Sequence, residues 1–81
     1  MNARQMFEKL GYKYNSYKDD PYKPDIVYIK TRILGCQYIS FEVDSNGEYG
    51  VVCNNDYCAE SMNIEELKAA YQQLKELNGE N

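Results

Sequence analysis

Eighty-one residues carry a net charge of −4, nine tyrosines and three cysteines, with neither histidine nor tryptophan. A chain of this length makes one domain, 1–81, burying roughly 60–65% of the surface that its unfolded form exposes. Imidazole is the side chain best suited to proton transfer near neutral pH, so its absence argues against an enzyme and against a resident metal, and no apolar run reaches the ~20 residues of a membrane span.

The chain opens with helix grammar. Asn2 is placed to cap, Gln5 stands at the reciprocal capping-box position, and Ala3, Met6, Phe7 and Leu10 share a face before Gly11 ends the helix. Tyr12–Ser16 alternates as a strand, while Tyr17–Asp25, with two aspartates and both prolines, reads as a loop. Ile26–Arg32 and Gln37–Val43 are rich in β-branched and aromatic residues with period two, separated by a turn near Leu34-Gly35. Ile39, Phe41 and Val43 form one face of the second strand, leaving Tyr38, Ser40 and Glu42 on the other. Ser45-Asn46-Gly47 signals a hairpin, because Asn-Gly readily supplies positive φ angles; Glu48–Cys53 returns as a strand and Tyr57-Cys58 adds a short extended piece.

Asn63 caps the last helix, with Glu66 three residues on and Met62 and Leu67 as a hydrophobic staple. Ile64, Leu67, Ala70, Tyr71, Leu74 and Leu77 line its core face until Asn78-Gly79 closes it. The predicted class is α+β: a meander of three or four antiparallel strands, order α-β-β-β(-β)-α, with the helices on one sheet face and the other face free.

Cys36, Cys53 and Cys58 are odd in number, and the C-x4-C spacing of the last two is wider than the usual zinc pair. They read as reduced, apolar side chains without metal or cofactor. With a start, Met1–Glu8, that lacks the layout of a signal peptide, they predict a cytoplasmic protein. Asp19-Asp20 falls in the loop and Glu65-Glu66 in the first turn of a helix, where acids suit the dipole, so neither carboxylate pair predicts catalysis. The five glycines sit at turns and caps and form no phosphate-binding loop.

Tyrosine combines a large rigid ring with a polar tip, which makes this a composition for contact. Tyr12, Tyr14, Tyr17 and Tyr22 interleave with Lys13, Lys18 and Lys23, a pattern suited to stacking single-stranded nucleic acid or to a protein hot spot. Charge divides along the chain: residues 1–35 hold seven bases and four acids, residues 36–81 two bases and nine acids. Within the acidic half, Glu42, Asp44, Glu48, Asp56, Glu60, Glu65 and Glu66 gather around the hairpin and the start of the last helix. Carboxylates so spaced imitate a phosphate backbone if the fold brings them together.

Ala3-Arg4-Gln5-Met6-Phe7-Glu8-Lys9-Leu10-Gly11-Tyr12 and Ile64-Glu65-Glu66-Leu67-Lys68-Ala69-Ala70 resemble the opening and closing segments of small uncharacterised proteins of phages and other mobile elements. The resemblance covers the two helices, carries over no catalytic residue, and implies a phage accessory protein, a group in which inhibitors of host defence nucleases are common. The expected function is thus a non-enzymatic interaction protein of the host cytoplasm, binding a host nucleic-acid-handling enzyme of CRISPR or restriction type through the acidic surface. The alternatives are a single-stranded nucleic-acid module using the tyrosine–lysine stretch, and a homo-oligomer that pairs open sheet faces or edges.

Overall fold

Two capping boxes fix where the helices begin. In α1 (Ala3–Lys9), Asn2 Oδ1 accepts the Gln5 N–H at 2.8 Å and Gln5 Oε1 accepts the Asn2 N–H at 3.0 Å. In α2 (Ile64–Leu77), Asn63 and Glu66 make the same exchange at 2.8 and 2.9 Å. The computed structural model describes residues 1–79. Between the helices, β1 (Lys13–Ser16), β2 (Ile26–Arg32), β3 (Gly35–Val43) and β4 (Tyr49–Asn55) pair in chain order as an antiparallel meander, giving an α+β fold of order α-β-β-β-β-α. No helix of the described residues is long and apolar enough to cross a membrane.

The turns follow local chemistry, with one difference from expectation. At the β3–β4 hairpin only Gly47 takes a positive φ, +80°, while Asn46 does not. Asp44 closes the loop instead, its Oδ1 accepting the N–H groups of Asn46 (2.8 Å) and Glu48 (3.0 Å). After β4 the chain bends rather than extending through Tyr57-Cys58, and its one bridge pairs Asn54 with Ala59.

Register places Tyr28 beside Tyr14 and Ile39, Ile39 beside Cys53, and Phe41 between Ile26 and Val51. These side chains share the face that both helices cover. Phe7 of α1 is the hub: its ring stacks on Tyr28 at 4.0 Å and meets Tyr12 and Phe41 edge-on at 5.6 and 6.1 Å. The other face, with Val27, Ile29, Tyr38, Ser40, Val52 and Asn54, is covered by neither helix.

The inward face of α2 departs from the apolar pattern. Glu66, Ala69, Ala70 and Gln73 are buried, Leu74 and Leu77 are half-buried, and Ile64, Leu67 (47% exposed) and Tyr71 face outward. The cause lies in β2 and in the residue just before β1. Tyr12 and Tyr28 raise their hydroxyls toward the helix, and a buried hydroxyl left without a partner is costly. Tyr12 donates to Glu66 Oε2, and Tyr28 to Gln73 Oε1 at 2.5 Å. Acceptors at 66 and 73, with two small alanines between, turn this stripe inward and let the helix approach closely. Tyr12, read from sequence as part of a free aromatic–basic stretch, is therefore a core residue, 3% exposed.

Candidate interaction surface

The β2–β3 turn is built from Arg32, Ile33, Leu34 and Gly35. Gly35 has φ +114°, and a Cβ there would stand 2.4 Å from Asp56 Oδ2, so both conformation and space require glycine. Asp56 in turn accepts the Cys36 N–H at 2.8 Å and the Tyr38 hydroxyl at 2.6 Å. Those donors hold its carboxyl below the usual aspartate range, the Tyr38 hydroxyl contributing most, and the same bond pushes the Tyr38 phenol up to about 12. A single carboxylate thus pins the segment after β4 onto the β2–β3 turn.

On this frame stand three large apolar side chains that the fold leaves in solvent: Ile33 (100% exposed), Leu34 (92%) and Tyr57 (89%). Together with Arg32, Cys36 and Asp56 they line one open hollow of about 520 Å³. Scattered surface apolar residues are ordinary, whereas contiguous ones around a concavity mark contact sites. Nothing in the turn needs them either, since its centre favours asparagine, aspartate, glycine or proline.

Behind the turn, a polar cluster joins the sheet to the segment between β4 and α2. Arg32 bonds Glu60 at 2.7 Å and also reaches Gln37 Oε1, and Gln37 Nε2 donates to Cys53 Sγ at 3.4 Å. The tip is therefore held from both sides, which lowers the entropy that a partner would have to remove. Cys53 is buried, which pushes its thiol up, Cys36 is half-buried and Cys58 exposed. Among the described residues, no three His, Cys, Asp or Glu side chains are grouped to hold a metal ion.

The acids singled out from sequence divide between two ends of the molecule. Glu42, Asp44 and Glu48 lie at the β3–β4 hairpin; Asp56 and Glu60 lie where β4 ends, and Glu65 at the start of α2. The seven residues of β4, ~20 Å from first to last, separate the ends. Several acids are already engaged: Asp44 in its turn, Asp56 with Cys36 and Tyr38, Glu60 with Arg32, and Glu65 with Lys68 at 3.6 Å.

The tyrosine–lysine stretch is divided as well. Tyr14 lies half-buried against Tyr28 with the Arg4 guanidinium 4.3 Å from its ring centre. Tyr17 faces the helix-free side with Lys23 4.7 Å from its ring, and there it joins Pro24, Val27, Ile29 and Tyr38 around a hollow of about 340 Å³. Lys13, Lys18 and Tyr22 are exposed, and Lys18, Tyr22 and Lys23 share a shallow hollow with Asp25 and Glu42. The sequence places Leu34 in a turn and Tyr57 in a short extended piece without assigning them or Ile33 to a site, although two large apolar residues at a hairpin centre are a usable signal. Comparison of the chain with protein-family models, with curated proteins and with solved structures finds no match.

Proposed function

We propose that the protein is a non-catalytic interaction module that docks on a partner protein through the β2–β3 tip. The observation that carries this reading is the trio of Ile33 and Leu34 on the β2–β3 turn and Tyr57 on the segment that Asp56 pins to it, all almost wholly exposed. Rigid apolar and aromatic anchors presented around a hollow are how a small interface gains most of its energy. Asp56 and Glu60 border the tip, and the half of the chain that supplies them carries nine of the thirteen acids, which favours a basic partner such as a nucleic-acid-handling enzyme of a host cell. Inhibition of that enzyme is the form of the proposal that the phage-like terminal helices suggest.

The test compares wild type with Leu34→Asp and Tyr57→Ala. Both positions are exposed, so folding stability should stay within about 0.5 kcal/mol. Loss of a hot-spot contact costs about 2 kcal/mol or more, roughly 30-fold in affinity. A tagged protein should retain a partner from nuclease-treated host lysate, and both variants should lose it. Retention that depends on nucleic acid, or is indifferent to both substitutions, would reject the tip as the docking site.

A further inference from the structure

The two edges of the sheet are guarded unequally. β1 is four residues long and begins with Lys13, and a short strand with an edge charge resists pairing with other chains. β4 is seven residues long, Tyr49-Gly50-Val51-Val52-Cys53-Asn54-Asn55, without a charge or a proline. Its last residues are already taken: the Glu60 N–H donates to Cys53 O at 3.0 Å, and the Asn55 N–H to Cys58 O at 2.9 Å. Those bonds show which groups point away from β3. Alternation along an antiparallel strand turns the N–H and C=O of Tyr49 and Val51 the same way, and among the described residues no backbone group outside the sheet bonds to them.

Charge states what such an edge accepts. Glu48 immediately precedes the strand and Asp56 immediately follows it, with Asp44 beyond at the first end and Glu60, paired with Arg32, beyond at the second. A second copy pairing antiparallel about Val51 would bring Glu48 of one chain toward the Asp56 end of the other, and parallel pairing would set Glu48 beside Glu48. Either arrangement sets like charges together. An extended segment with basic residues at both ends meets opposite charge instead.

We propose that the free edge of β4 binds an extended segment of a partner protein by strand addition, uncharged where it pairs with Tyr49–Val51 and basic on either side. Backbone bonds would hold the segment, and the flanking acids would set its charge preference. The pairing residues, Tyr49–Val51, are distinct from the apolar tip although Asp56 borders both, and the test does not depend on the tip.

The probe is a synthetic peptide, Lys-Lys-Thr-Val-Thr-Val-Thr-Lys-Lys, titrated into 15N-labelled full-length protein. Amide shifts should concentrate at residues 49–53, exchange of the Tyr49 and Val51 amides should slow, and the response should weaken as salt is raised. Glu48→Lys, at an exposed side chain, should weaken binding severalfold while leaving the spectrum of the free protein otherwise intact. Val51→Pro removes an outward N–H without removing a bond to β3, and should abolish the response. No response at millimolar peptide, a response centred on β1, or an equal response to a glutamate-flanked peptide would overturn the proposal. So would a doubled mass in sedimentation with the same amides protected before peptide is added, since the occupant would then be a second copy.

Discussion

Asp56 has no apolar contact to offer, yet it sets the shape of the tip by accepting from Cys36 and Tyr38 beside a glycine that leaves it room. Its carboxyl is held below the ordinary value, so whatever it contributes to tip order is fully present above the unfolded aspartate range near 4 and is lost as pH falls through the depressed folded value. The Cys36 amide should therefore keep its native chemical shift at pH 5 and move only below about 4; a midpoint above 4.5 would mean that the carboxylate is not so engaged. Tyr38 runs the other way. Its raised phenol is neutral in the fold, so its bond persists through the ordinary tyrosine range and is lost toward pH 12. The thiols offer a second test at this scale: exposed Cys58 should react with an alkylating reagent first, and Cys53, buried and with its thiol raised, should react only on unfolding. Early modification of Cys53 would contradict the burial of its side chain on the helix-covered face.

At the scale of elements, the sharpest consequence concerns which face of α2 carries stability. Phe41 is fully buried between Phe7 and Tyr28, so Phe41→Ala should cost about 3–5 kcal/mol, a large share of a small domain's stability. Leu67 is half in solvent, and Leu67→Ala should cost less than about 1 kcal/mol. Urea melts of the two variants decide the register; equal large losses would restore the apolar-stripe orientation. The contrast also marks what the chain made legible. Both capping boxes, a meander of three or four strands and the α+β order follow from local rules, because caps, period-two alternation and turn residues act within a few positions. The face of α2 does not, since it is chosen by the hydroxyls of Tyr12 and Tyr28, dozens of residues away, and a count of apolar side chains scores Glu66 and Gln73 as surface. Tyr12 was misplaced for the same reason. The turn near Leu34-Gly35 is legible, but the meeting of Ile33 and Leu34 with Tyr57 is not, because it depends on Asp56 bonding Cys36 from 20 residues on.

Across the whole molecule, the arrangement of aromatic and charged groups sets what to expect of nucleic acid as a partner. A strand of bases needs successive exposed rings along one basic groove. Here Tyr12 is buried and Tyr14 is packed under Arg4 on the covered face, leaving Tyr17 and Tyr38 on the free face and Tyr22 in the loop. Lys23 lines the hollow of Tyr17 and Tyr38 but is paired with Asp20, and with Lys18 it also lines a second hollow beside Asp25 and Glu42, acids that offset the charge a phosphate would meet. Two rings without an uncompensated basic track fall short of the several contacts that such binding requires, because affinity there grows with each stacked base and each neutralised phosphate. Gel-shift titrations with single-stranded oligonucleotides should therefore show no micromolar complex at 50 mM salt, and Tyr17→Ala should change nothing. A micromolar complex that weakens steeply by 200 mM salt and is lost in Tyr17→Ala and Lys23→Ala would assign the helix-free face to nucleic acid, and the apolar tip would then need another explanation.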